Sequence, residues 1–137
     1  MKTYSELMSL PTFIERFEYL ELHGKIADPT LGGYRPYVED FYHSDEWRSF
    51  RRRMIIRDDG NDLGDTLYTI HGKIILHHIV PIQKVNLDNM DEMLMDPENL
   101  IICSYNTHQA IHYGNTERLP ADYIQRSMHD TTPWKKV

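Results

Sequence analysis

The segment from Ile74 to Asn115 restricts the fold more than any other part of the chain. It opens with an apolar, β-branched run that ends in the tandem pair His77-His78, and a second such run follows at Leu100 to Ser104. Short apolar runs bounded by turn residues suit buried strands. His108 and His112 come next, four residues apart, on a stretch that Asn106 or Thr107 can cap as a helix. At that spacing both imidazoles project from one helix face, which is how a helix offers two nitrogens to one ion.

A third ligand would come from the strand, at His77 or His78. Adjacent strand residues point to opposite faces, and only a twist or bulge at the strand end relaxes this. The pair therefore divides, one imidazole binding metal and the other left free as a base. Neutral imidazole suits the second role, because its ordinary pKa of ~6.5 lets it take a proton from water near neutral pH. An ion with three protein ligands keeps open positions for a phosphate oxygen and a water. Asn99, at the start of the second run, can fix the intervening loop and hold the first strand's histidine; after Asp96-Pro97-Glu98 it also suits a plain turn.

The flanking sequence reads as scaffold. Residues 1–23 look helical: Pro11 or Thr12 starts a helix with Phe13, Ile14, Phe17 and Leu20 on one face, Glu15, Arg16, Glu18 and Glu21 elsewhere, and an end at Gly24. Residues 24–43 form an irregular connector rich in aromatics, which pack more readily than they present a base-stacking platform. Ser44 caps a second helix with Asp45 and Glu46 in its first turn and Trp47, Phe50, Met54 and Ile55 as the buried stripe. Asp58 to Asp65 is polar turn chemistry. A calcium loop fits poorly there, because Gly60 and Thr69 fall where that pattern needs acidic ligands. Thr66–Ile70 and Lys73–Val80, split by His71-Gly72, suggest a tight hairpin. A short helix is expected over Leu87–Met95, and a polar tail with a short helix near Asp122–Met128 closes the chain.

At 137 residues the chain fits one domain, 1–137, with enough length for a core of its own. Its one cysteine, Cys103, excludes an internal disulfide and reads as a buried strand residue. The start MKTYSELMSL lacks a secretory pattern, and no apolar run approaches the ~20 residues a membrane span needs, so a cytoplasmic location is expected. The net charge of −6 disfavours a nonspecific nucleic-acid coat protein. The basic residues are nevertheless clustered: Arg48, Arg51, Arg52, Arg53 and Arg57 lie within ten positions, and a solvated charged face competes with phosphate contact as their role.

The segments LHHIVPI, PENLI and THQAIH resemble the His-Asn-His (HNH) endonuclease family, and FYHSDEWRSFRRRMIIRDDGNDLGD resembles the lead-in common in those proteins. The chain over roughly residues 12–115 is similar to small HNH proteins encoded by bacteriophages. The resemblance implies an α+β fold with a ββα-metal core, flanking helices and a β-hairpin. It also implies metal-dependent hydrolysis of DNA, double-stranded in the first instance, leaving 5′-phosphate and 3′-hydroxyl ends. Carried over by position, His78 would be the general base and Asn99 its brace, with His77, His108 and His112 holding one divalent ion. Arg48, Arg51, Arg52, Arg53 and Arg57 would grip DNA. Mg²⁺ or Mn²⁺ would serve as the working ion, although an all-imidazole site binds Zn²⁺ or Ni²⁺ more tightly. Many relatives hold a structural zinc with two Cys-x-x-Cys pairs; this chain lacks them, so none is expected. Homing, restriction, and packaging beside a phage terminase all use such a site. Two other readings stay open: a non-catalytic, metal-stabilised DNA- or protein-binding module, and an RNA-preferring nuclease.

Overall fold

The computed structural model describes residues 1–22, 40–114, 116–117 and 119. The helix end expected at Gly24, most of the connector and the short helix expected over Asp122–Met128 lie outside the described residues. The architecture is mixed: helices around a two-stranded antiparallel sheet, compatible with the α+β class. Among the described residues no helix is long and apolar enough to cross a membrane.

The N-terminal region forms two helices rather than one, α1 (Tyr4–Met8) and α2 (Phe13–Leu20). Thr12 caps α2, its hydroxyl oxygen accepting from the Glu15 amide at 3.2 Å. Phe13, Phe17 and Leu20 are buried as the periodicity predicts. Arg16 departs from its expected place on the solvated side. It is only 8% exposed, donating from Nε to the Leu10 carbonyl and from Nη1 to the Leu63 carbonyl. A buried guanidinium is tolerated there because backbone carbonyls satisfy its donors.

Ser44 caps α3 (Asp45–Arg57), which buries Trp47, Phe50 and Met54, with Ile55 half-buried. The following acidic stretch is not the solvated turn that its composition suggests. Asp58, Asn61, Asp62 and Leu63 are all buried. Asp58 meets Tyr4, Arg57 and the Ile102 amide; Asp62 accepts from the Ser104 amide at 3.1 Å and the Thr107 hydroxyl at 2.6 Å. Burial pushes the Asp62 carboxyl up, and the hydrogen bonds from Thr107 and Ser104 partly offset this.

The expected hairpin between Thr66–Ile70 and Lys73–Val80 does not form. Thr69 makes one isolated bridge to Asn61, and Tyr68 and Ile70 bond back to Asp62 and Gly60. Strand β1 (Ile74–His78) pairs instead with β2 (Leu100–Ser104), in a register that sets His77 opposite Ile101 and His78 opposite Leu100. The physical reason is burial. Both faces of β2 are apolar, and only a partner that is apolar on both faces completes two cores at once. Ile101 and Cys103 face a cluster with α2 and the helix that follows β2; Leu100 and Ile102 face a cluster with Trp47, Phe50 and Met54 of α3.

The connection between the strands carries α4 (Lys84–Asp88) and two short 3-10 turns, Glu92–Met95 and Pro97–Asn99. The single helix expected over Leu87–Met95 is broken at Met90, whose φ of 49° is left-handed. The helix after β2, α5 (Tyr105–Tyr113), is capped by Ser104 rather than Asn106 or Thr107, and it closes on Gly114 with φ 76°. An αL residue is what that type of helix end requires, and glycine adopts it without strain.

Candidate metal centre

Strand alternation decides the arrangement of the site. His77 leaves β1 on the same face as Ile75, toward α5, and His78 leaves on the opposite face, toward α3. Helical spacing then turns His108 and His112 toward His77 together. The three rings meet with centroids 5.3 Å (His77–His108), 5.2 Å (His77–His112) and 4.4 Å (His108–His112) apart. One nitrogen from each lies within 4.8 Å of the others.

These residues fit a metal ion on two observations. The Nε2 atoms of His108 and His112 are 3.1 Å apart; nitrogens bound to one tetrahedral ion at about 2.0–2.1 Å lie roughly 3.4 Å from each other. His77 is 4% exposed, and its Nε2 is fully buried without a hydrogen-bond partner among the described residues. A buried nitrogen left this way costs stability, whereas a cation on its lone pair satisfies it. Burial lowers the basicity of His77 far below the ordinary imidazole range, reinforced by His108, His112 and His78 around it. His108 falls to about 4, through burial first and then the charges of His112 and Lys73; burial also lowers His112. All three are thus neutral near pH 7, the form that ligates metal.

His78 is held separately. Its ring stacks on Trp47 with centroids 5.8 Å apart and planes 20° from parallel, and its Nε2 lies 3.0 Å from the Leu94 carbonyl oxygen. A carbonyl can only accept, so Nε2 carries the proton and Nδ1 holds the basic lone pair. Burial lowers the His78 pKa to about 4, with the Leu94 bond pulling it partly back. The imidazole is therefore neutral throughout the physiological range, and a weaker base than an ordinary histidine.

Asn99 is 6% exposed and ties the loop to the strand end. Its Oδ1 accepts from the Val80 amide at 2.7 Å, and its Nδ2 donates to the carbonyls of Val80 (3.3 Å) and Met93 (3.2 Å). Met93 precedes Leu94, so the same amide fixes the turn whose carbonyl holds His78. A plain turn residue would not make the two bonds to Val80, nineteen residues away.

A cleft of about 760 Å³ runs along β1 and is lined by His77, His78, His108 and His112 together. It reaches both faces of the strand because, among the described residues, β1 pairs only with β2. The arginine cluster divides around it. Arg48 and Arg51 line the cleft, Arg51 also donating from Nη2 to the Ile74 carbonyl at 2.7 Å. Arg52 is exposed, while Arg53 lies over the Phe50 ring beside Asp45 and Glu46 in another depression. Arg57 is committed to the scaffold: it chelates Asp58, donates to the Pro97 and Leu100 carbonyls, and lies 3.5 Å from the Tyr4 ring centroid. The functional surroundings that sequence reasoning passed over are Trp47 as the face against His78, the Leu94 carbonyl, and Lys73 in the cleft wall. Lys73 had a legible signal, since it stands four residues before His77 and so on the same strand face.

Comparisons with known protein families, with curated proteins and with solved structures find no match to this chain.

Proposed function

We propose that this chain is a metal-dependent DNA endonuclease of the HNH, ββα-metal type. One observation carries the reading. Three neutral imidazoles from β1 and α5 converge on one face of the strand, and a fourth, His78, which is tautomerically fixed, lines the same cleft from the other face. A metal site alone needs no such neighbour; hydrolysis needs a proton acceptor next to the ion.

His77, His108 and His112 would hold one divalent ion. When bound, the ion supplies charge stabilisation for the phosphate and the departing 3′ oxygen. His78 takes the proton of the attacking water at Nδ1, its Nε2–H kept on the Leu94 carbonyl throughout. Asn99 holds that carbonyl's turn and the Val80 backbone, so the imidazole does not rotate as it gains charge. Arg48 and Arg51 meet backbone phosphates from the His78 side, and Arg52 extends that surface. An all-nitrogen donor set favours Zn²⁺ or Ni²⁺ in affinity, while Mg²⁺ or Mn²⁺ fit the family's use of such sites.

Nicking of supercoiled plasmid by purified protein, with and without added Mn²⁺, Mg²⁺, Zn²⁺ or Ni²⁺, tests this reading. Metal-dependent relaxation that is lost in His78→Ala is the expected result. Absence of cleavage with every ion sinks it and leaves the second reading, a metal-stabilised binding module, which the burial of His78 favours.

A further inference from the structure

Lys73 stands at the entrance of β1, exposed to solvent and in the wall of the cleft that holds the four histidines. Lys73 immediately precedes β1, in alternation with Ile75 and His77 of the α5 face, whereas Arg48 and Arg51 come from α3 on the other. Lys73 is thus a cation that lines this cleft together with the metal-ligand histidines His77, His108 and His112. A cation there opposes metal binding. The three imidazoles are neutral and cancel none of an ion's double charge, so a loaded site with Lys73 beside it is a strongly positive pocket in a chain of net charge −6. Such a pocket is favourable only when an anion fills it.

We propose that Lys73 is a substrate-binding residue that pairs with a non-bridging oxygen of the phosphodiester seated at the metal centre. This rests on the nuclease reading above and adds a substrate contact to it. The backbone of the bound strand then crosses the edge of β1 that no strand among the described residues pairs, where Arg51 meets the Ile74 carbonyl. One phosphate is gripped by Lys73 on the α5 face, and its neighbours are gripped by Arg48 and Arg51 on the α3 face. Lysine suits the first position because a compact ammonium can meet a phosphate oxygen that an ion already occupies on another side.

The test compares wild type, Lys73→Gln and Lys73→Arg in three measurements: Mn²⁺ affinity by calorimetry, plasmid nicking, and anisotropy of labelled DNA on metal-loaded His78→Ala protein at several salt concentrations. Lys73→Gln is expected to bind Mn²⁺ as tightly as wild type or somewhat more tightly. Its kcat/KM should fall about tenfold, and the slope of log affinity against log salt should drop by about one. Lys73→Arg should recover most of both losses. Unchanged kcat/KM and salt slope in Lys73→Gln overturn the proposal, and so does a loss of Mn²⁺ affinity, which would make Lys73 a support of the ligand cage. If wild type cleaves nothing, the nuclease reading fails by itself. The salt slope of DNA binding still decides whether Lys73 holds phosphate.

Discussion

His77 and His78 are neighbours in the chain but face opposite sides of β1. His77 meets the His108 ring at 5.3 Å, while His78 stacks on Trp47 at 5.8 Å. A sheet that is two-stranded among the described residues makes this useful, because one cleft along β1 is lined by both histidines. In a wider sheet the same pair would be separated by a further strand.

The orphaned Nε2 of His77 makes the metal-free fold pay for an unsatisfied buried nitrogen, about 1–3 kcal/mol. Adding Zn²⁺ at a hundredfold excess over its Kd should stabilise the protein by about 2.7 kcal/mol. A thermal melt with and without chelator measures this. His108→Ala should weaken metal binding at least tenfold, and an unchanged affinity by calorimetry removes His108 from the ligand set.

His78 stacks on Trp47 and bonds the Leu94 carbonyl, on the face of β1 away from the three ligand rings. His78→Ala should therefore abolish plasmid nicking while leaving Mn²⁺ affinity within about threefold. Cleavage surviving in a clean preparation would assign the base elsewhere.

The pH dependence has a definite sign. Burial holds the folded-state pKa of His78 at about 4, below the ordinary 6.5. Above pH 6.5 both folded and unfolded chains keep the ring neutral. As pH falls from 6.5 toward 4, the unfolded chain takes up a proton that the folded one resists, and stability is lost in that window. Urea titrations of metal-free wild type and His78→Gln at pH 7.5, 6 and 4.5 should show the wild type losing more, by up to about 3 kcal/mol. Parallel losses in the two proteins contradict the assignment.

Asn99→Ala removes one acceptor and two donors aimed at partly buried backbone, and should cost about 3 kcal/mol by denaturant unfolding. Asn99→Asp keeps the acceptor for Val80 but sets a carboxylate against two carbonyls, so it should not restore stability. A cost below 1 kcal/mol would return Asn99 to the role of a turn residue.

The arginines should separate by readout. Arg57→Ala leaves the buried Asp58 carboxylate without its ion-pair partner and should cost about 3 kcal/mol of stability. Arg48→Ala should leave the unfolding midpoint within about 0.5 kcal/mol of wild type while lowering DNA affinity and its salt dependence. Equal effects of both on DNA binding at matched stability would restore Arg57 to the binding surface.

Local chemistry was legible wherever one element decided it. Thr12 and Ser44 announced their helices, the i, i+4 pair His108–His112 announced a shared face, and alternation announced that His77 and His78 would separate. The pairing of β1 was not legible, because Thr66–Ile70 lies nearer in sequence and looks as strand-like as β2. Only the two-sided core around Leu100, Ile101, Ile102 and Cys103 selects the distant partner. Nor could composition distinguish a solvated acidic turn from one whose Asp58 and Asp62 are drawn inward by backbone donors of β2.

By itself the sequence determined which side chains could ligate metal and that the tandem histidines would take different sides. Their spacings are fixed by the 3.6- and 2-residue repeats of helix and strand. Tertiary structure alone decided that His77 rather than His78 meets α5, that the Leu94 carbonyl sets the tautomer of His78, and that Arg57 belongs to the scaffold. Those outcomes depend on register and on contacts between elements far apart in the chain, which local periodicity does not encode.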